Sequence, residues 1–281
     1  MFKKLRRLIW RLEDRQRIAI ALGKGALMSS RRIDPRVPST WEWSAFSQNG
    51  EDGILDVLRR QLHEHNRYFV EIGAADGIQN NTAWLVVAEN HGGLMVEGDP
   101  GRWKHARQLL PASALAVECL LCFVTRDNAA ELVRRALYPD PDVCSIDIDG
   151  NDLHIAAALL DAGLRPKIFV VEYNSAFGPA QRLTIAYAEG FHYDEAHPDR
   201  LYYGASIAGW RAFFEQRGYR FVTVESNGVN AFFVDPVHFD AAFLDAVQGP
   251  AFAENREQLL RLREPWPAQF ERIRDRRFVA I

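Results

Sequence analysis

Tyr68-Phe69-Val70-Glu71-Ile72-Gly73-Ala74-Ala75-Asp76-Gly77 decides how this chain folds. Its first five residues, apolar except for Glu71, are closed by a glycine, which is the pattern of a short buried strand. A loop of small residues follows, then a helical rhythm over residues 82–90. Strand, Gly-containing loop and helix in that order give such a loop its meaning. Gly73 permits a sharp turn, Ala74 and Ala75 let a ligand approach the backbone, and Gly77 relieves crowding before the helix. The spacing is G-x-x-x-G and not G-x-G-x-x-G. That points away from a dinucleotide pyrophosphate and toward a nucleoside without phosphates.

The next apolar run, residues 93–97, ends in Glu97, 20 residues past Gly77. A carboxylate there can accept hydrogen bonds from both hydroxyls of a ribose. Glu71, Gly73, Asp76, Gly77 and Glu97 are therefore candidate cofactor contacts. In the plainer reading, Glu71 and Glu97 are strand-end acids that meet solvent. Further along, helical patterns occupy residues 51–65, 100–110, 128–137, 153–162 and 206–217. Strand patterns occupy residues 115–124, 143–148 and 168–171. Strands alternating with helices imply crossover units and a parallel sheet. Residues 219–224 and 229–234, joined by Glu225-Ser226-Asn227-Gly228, read as a closing antiparallel hairpin. The last 40 or so residues read as a helical tail, clearest over 252–263, with no recognisable chemistry.

Four segments carry a family resemblance: Phe46-Ser47-Gln48-Asn49-Gly50-Glu51-Asp52-Gly53-Ile54-Leu55, Val70-Glu71-Ile72-Gly73, Ser145-Ile146-Asp147-Ile148-Asp149-Gly150-Asn151-Asp152 and Val171-Glu172-Tyr173-Asn174. Together they resemble the FkbM-like methyltransferases, and the likeness runs over residues 41–234. It implies a Rossmann-like class I methyltransferase fold, with a mostly parallel seven-stranded sheet, an antiparallel final hairpin and helices on both faces. It also implies an enzyme that uses S-adenosyl-L-methionine to methylate a hydroxyl of a sugar, glycan or related natural product. The sulfonium and ammonium of that cofactor suit an acidic loop, where Glu71 or Asp76 would orient the ammonium. Gln48 and Glu51 would stand at the cofactor mouth. Alternatively, Asn49 and Asp52 simply cap the next helix, three residues apart as in a capping box.

Asp147, Asp149 and Glu172 fall at the carboxyl ends of the fourth and fifth strands, where ligands bind in open α/β sheets. Asp147 and Asp149 can share a side, because strand residues alternate. Asp147 is a candidate for the cofactor's amino group. Asp149, Glu172 and Asn174 offer hard oxygens for Mg²⁺ or another divalent cation, which would bring acceptor oxygens together and lower a hydroxyl's pKa. Without a metal, Asp147 orients the cofactor and Asp152 caps a helix. Methyl transfer needs alignment above all, and a hydroxyl acceptor gains from a nearby base. Asp149 is the first candidate and His154 the second; His192 and His197 are ordinary lone histidines.

Residues 174–203 are too many for a simple connection. Their aromatic and polar side chains suit a carbohydrate, so Tyr173, Arg200 and Tyr203 are candidate acceptor contacts. Asp147-Ile148-Asp149 is also a D-x-D, which leaves a metal-dependent glycosyltransferase as a rival. A catalytically silent binding protein on the same fold is another.

Residues 1–40 form a basic amphipathic helix with a linker from about residue 29, ahead of a domain at 41–281. That helix lies on an anionic membrane surface, as a peripheral contact at the inner face, or packs on the domain or on a second copy in a homo-oligomer. A net charge of -3 with 48% apolar and 25% charged residues leaves no basic footprint for nucleic acid. Three cysteines, two in Cys119-Leu-Leu-Cys122, read as buried thiols in a reducing, cytoplasmic setting. No stretch has the length of a membrane span.

Overall fold

A computed structural model describes residues 2–110 and 116–281, without the side chains of residues 2–11 and Ser29. The predicted start of the third strand at Leu115, and the side chains from Phe2 to Arg11 that make the first turns amphipathic, lie outside the described residues.

The strands are β1 (Tyr68–Ile72), β2 (Gly92–Glu97), β3 (Val117–Leu121), β4 (Val143–Ile146), β5 (Ile168–Glu172), β6 (Leu183–Ile185), β7 (Arg220–Val224), β8 (Asn230–Val234) and β9 (Phe278–Ala280). Seven of them form one sheet in the order β3-β2-β1-β4-β5-β8-β7. The first five run parallel, whereas β8 is antiparallel to both β5 and β7. This is the Rossmann-like arrangement of class I methyltransferases. The order reverses direction between β1 and β4, which opens a crevice at their carboxyl ends.

Alternation along each strand builds two cores and decides which residues reach that crevice. Tyr68, Val70 and Ile72 enter one core with Cys144, Ile146, Phe169, Val171 and Tyr173. Helices Ala129–Arg135, Asp152–Asp161 and Ile207–Glu215 cover this face. Phe69 enters the other core with Val143, Ile168 and Val170, under helices Glu51–Arg60 and Ala83–Val87. Glu71 is paired with Ser145, and Ser145 with Val170. Glu71 and, two residues on, Asp147 and Glu172 therefore share the second face.

Two strands were missed by the sequence pattern. Strand β6, inside the insert, pairs antiparallel with β9 at the chain's end. Phe177, Ile185, Leu201 and Ile273 form a third small core between insert and tail. The tail is thus packed onto the insert through helices Arg256–Leu262 and Trp266–Glu271 and the β9 strand.

The N-terminal helix runs Phe2–Ser29 and packs on the domain from its middle onward. Ala21 is buried, Ile18, Leu22 and Met28 touch the second core, and a Cβ on Gly25 would fall 2.1 Å from the Trp84 ring. Leu12, Ile20 and Leu27 remain exposed. Among the described residues, no helix is long and apolar enough to cross a membrane. Cys144 is buried, but Cys119 and Cys122 are half-exposed, contrary to expectation, because β3 is an edge strand.

Candidate active site

Gly73 sets the floor of the crevice. With φ +91°, it brings β1 so close to β4 that an added Cβ would sit 1.8 Å from the Asp147 carbonyl oxygen. Only glycine allows that approach. Above the floor lies a cavity of about 600 Å³, within the usual range for small-molecule sites. One wall carries Gln48, Glu51, Glu71, Gly73 and Ala75; the centre carries Asp147, Asp149 and Glu172. The far wall carries Tyr193, Arg200 and Tyr203 from the insert and residues 255–258, 260 and 261 from the tail.

The acids of this cavity differ in what holds them. Glu71 accepts hydrogen bonds from the Asn81 and Thr82 backbone N–H groups (both 3.1 Å) and from the Thr82 hydroxyl, so it fastens the start of helix Ala83–Val87. Burial pushes its pKa up to about 7 despite those donors. Glu51 accepts from Asn49 N (2.6 Å) and Asn230 Nδ2 (2.7 Å).

The segment before that helix is organised differently from the expected Asn49/Asp52 cap. Gly50 is the N-cap, with φ 102° and no side-chain bond. Asp52 instead accepts from the backbone N–H groups of Ala45, Phe46 and Ser47, while its own N–H donates to Ser47 Oγ (3.0 Å).

Asp147, Asp149 and Glu172 present carboxylate oxygens within 4.8 Å of one another. Glu172 Oε2 is buried with no hydrogen-bond partner among the described residues. Burial first, then the neighbouring acids, hold the Asp147 and Glu172 pKa values well above the usual range. Asp149 is exposed at the cavity mouth, in the left-handed region at φ 53°. Its pKa is also raised, by the surrounding protein that displaces bulk water from the concave site, with Arg102 opposing the shift. Asp152 accepts from Ile148 N (2.9 Å) and Gly150 N (2.8 Å), clamping the loop that carries Asp149.

Three expected site residues lie elsewhere. Asn174 does not line the cavity: its amide donates to the Leu201 and Tyr203 carbonyls and its oxygen accepts from Ala176 N, so it serves the turn. Asp147 takes its place in the oxygen cluster. Tyr173 points into the first core, where its hydroxyl donates to the Ala253 carbonyl (2.6 Å) and pins the tail. His154 does not line the cavity; its Nε2 bonds the Ile185 carbonyl (2.8 Å) and its ring meets Tyr187 edge-on.

The loop residues are subtler. Asp76 accepts from Ile78 N and Gln79 N, and so folds the loop rather than lining the cavity. Gly77 fits closely against Ala106, 2.8 Å from a hypothetical Cβ. Glu97 stands behind the loop, with one oxygen accepting from Ala75 N and the other from Asp99 N, each at 2.7 Å. It is buried and does not line the cavity.

The tail was the main omission. Asn255, Arg256, Glu257, Gln258, Leu260 and Arg261 line the cavity, although in the sequence they read as an ordinary surface helix. Gln258 Nε2 donates to the Tyr203 hydroxyl at 3.0 Å.

No family model matches the sequence, and no curated protein does. The resemblance to FkbM-like enzymes therefore stands on the quoted motifs alone. Solved structures similar to this chain include an O-methyltransferase from Bacillus cereus in complex with SAH (17% identity, 78% of this chain and 89% of that chain, TM-score 0.43). Others are cofactor-bound Rv0187 from MTB (18%, 78% and 89%, TM-score 0.45) and the O-methyltransferase TomG from Streptomyces achromogenes, involved in tomaymycin synthesis, in complex with SAM (19%, 67% and 80%, TM-score 0.42). At these identities and scores, the likeness adds nothing to what the strand order already gives.

Proposed function

We propose that this protein is an enzyme that transfers a methyl group from S-adenosylmethionine to a hydroxyl of a sugar, glycan or related natural product, assisted by a divalent cation. One observation carries the reading: the Gly73 turn and the Asp147/Asp149/Glu172 cluster face a single cavity at the point where the sheet order reverses.

The residues fit the cofactor. An acidic, incompletely hydrogen-bonded floor, with Glu172 Oε2 unpartnered, suits a ligand bearing an ammonium and a sulfonium. Gln48, Glu51, Glu71 and Gly73 would hold the amino-acid end. Glu97 would take the ribose as its bond to Ala75 N loosens. Bound adenosylmethionine supplies a methyl group activated on a positive sulfur. This chain contributes alignment, which is the larger part of such a displacement. Asp149, on the clamped loop, is the base placed to accept the acceptor's hydroxyl proton. Its pKa is raised above the usual carboxylate range, mainly by the surrounding protein, which makes it a stronger base than an ordinary aspartate.

Asp147, Asp149 and Glu172 are the residues that would hold a divalent cation, an all-oxygen set suited to Mg²⁺. Such an ion would supply charge that offsets three crowded carboxylates and acidifies a bound hydroxyl.

Calorimetry with adenosylhomocysteine tests the reading directly. Binding is expected, with Mg²⁺ strengthening acceptor binding. Stabilisation by UDP-sugars alone would instead favour the D-x-D glycosyltransferase, and adenosylhomocysteine uptake without turnover of any glycan would favour a silent binding protein. Peripheral membrane contact through the N-terminal helix and self-association are further proposals, read by vesicle flotation and sedimentation.

A further inference from the structure

The cavity is electrically divided by depth. Its buried residues Glu71 and Glu172 are acidic, whereas its exposed lining sets beside Asp149 and Glu257 three guanidiniums from the insert and the tail: Arg200, Arg256 and Arg261. In a chain of net charge -3, three cations brought to one rim from two segments far apart in sequence are not a composition effect. Arg200 pairs with Asp194 (2.9 Å) and Arg261 donates to the Asp199 carbonyl (2.8 Å), while the Arg256 side chain has no partner among the described residues. Glu257 is the acid that shares this wall. The guanidinium fork matches the paired oxygens of phosphate and carboxylate. Leu260, 72% exposed beside them, adds an apolar surface for the body of a ligand.

We infer that the acceptor carries an oxyanion, a phosphate or a carboxylate, held at the rim by Arg256 and Arg261 with Arg200, while its hydroxyl is presented to Asp149. This inference rests on the methyltransferase reading for the hydroxyl, but the rim's preference for oxyanions is separable from it. Arg102, on helix Pro100–Leu109, is a fourth exposed guanidinium in the cavity lining and the cation that acts most strongly on Asp149; it comes from neither the insert nor the tail.

The test is calorimetry on the full chain with pyrophosphate, glucose 6-phosphate, glucuronic acid and glucose, at low and high salt. The first two report phosphate and the third carboxylate, so the two oxyanion sources are distinguished. At least one anionic probe is expected to bind at least roughly tenfold tighter than glucose, since hydrogen bonds to charged groups contribute on that scale. The preference should weaken with salt. The R256A/R261A double variant is expected to lose it, and R256K/R261K to keep part of it. Melting curves verify that each variant is folded, and the lysine pair serves if the alanine pair is not. Equal binding of all four probes, or an undiminished preference in the folded double variant, overturns the inference. Adenosylhomocysteine titrated in parallel reads the cofactor reading by itself: its failure to bind would sink methyl transfer and leave the oxyanion result to be judged alone.

Discussion

Asn230, the first residue of β8, donates its amide to Glu51 Oε1 at 2.7 Å, joining the sheet to the N-terminus of helix Glu51–Arg60 across the cavity wall. The same carboxylate also receives Asn49 N and Nδ2. Asn230→Ala removes a charge-assisted bond from a buried acid, so a loss of about 1.5–3 kcal/mol is expected in urea unfolding. Asn230→Asp should cost more, because it sets a like charge against Glu51. Both should weaken adenosylhomocysteine, since Glu51 and Gln48 share that wall. Unchanged affinity in either folded variant would remove Glu51 from the cofactor site.

Gly73→Ala should be far more damaging than Gly163→Ala. Both glycines have φ near +100°, so each substitution carries a similar backbone strain. Only at Gly73 does the new methyl meet a carbonyl oxygen, at 1.8 Å, whereas nothing lies within 4 Å at Gly163. Gly163→Ala should cost about 1–3 kcal/mol, and Gly73→Ala about 1–3 kcal/mol beyond that, with Asp147 displaced. Thermal unfolding of the pair, with equal losses as the adverse result, separates crowding from strain.

How much of this was readable beforehand depended on whether a residue's role was local. The β1 boundaries followed from an apolar run stopped by Gly73, and helix Pro100–Leu109 from its proline at the start. Strand parity was also local information: Glu172 ends β5 and Tyr173 continues its extended alternation, so the two face opposite sides and both could not enter the cavity. Asn174 and Asp149 were harder, because a turn decides them. Asn174 spends its amide on a turn that starts at itself, and Asp149 adopts a positive φ that its identity does not announce. The tail was beyond reach. Arg256 and Arg261 enter the site through long-range contacts, among them Tyr173 with Ala253 and β9 with β6, made about 80 and 95 residues apart along the chain.

Tyr173→Phe tests that account of the tail. The hydroxyl both donates to the Ala253 carbonyl and accepts from Ala253 N at 3.2 Å, so its removal leaves two partly buried backbone groups short of a partner. A loss of about 1–3 kcal/mol is expected, together with faster hydrogen exchange over residues 253–262. Adenosylhomocysteine binding should hold, because Tyr173 does not touch that side. Weakened cofactor binding with an intact tail would return Tyr173 to the site.

Glu225 gives the pH dependence its clearest test. Burial and the nearby Glu51 carboxylate raise its pKa to about 7, outweighing the N–H donors of Asn227, Val229 and Asn230. Between the unfolded value near 4.5 and about 7, the folded state holds a proton that the unfolded state has released. Stability from this group is therefore full below about 4.5 and is lost as pH rises through about 7. The loss is at most on the order of 3 kcal/mol. Glu225→Gln should flatten the slope across that window in chemical unfolding at stepped pH. A variant curve parallel to the wild type would show that Glu225 does not supply it.

Glu172→Gln distinguishes a cation site from a merely crowded cluster. In the apo protein three carboxylates stand within 4.8 Å, and Glu172 is fully enclosed on one oxygen with nothing to bond. Replacing it with a neutral amide removes repulsion with Asp147 and Asp149, so without metal the variant should melt above the wild type at neutral pH. With Mg²⁺ the order should reverse. The wild type gains stability as RT ln(1 + [L]/Kd), whereas the variant, with one hard anionic ligand fewer, gains little. A variant less stable than wild type without metal would mean that Glu172 is held by contacts and not merely crowded. If Mg²⁺ instead stabilises both proteins equally, the ion binds elsewhere, and the hydroxyl must be activated by Asp149 alone.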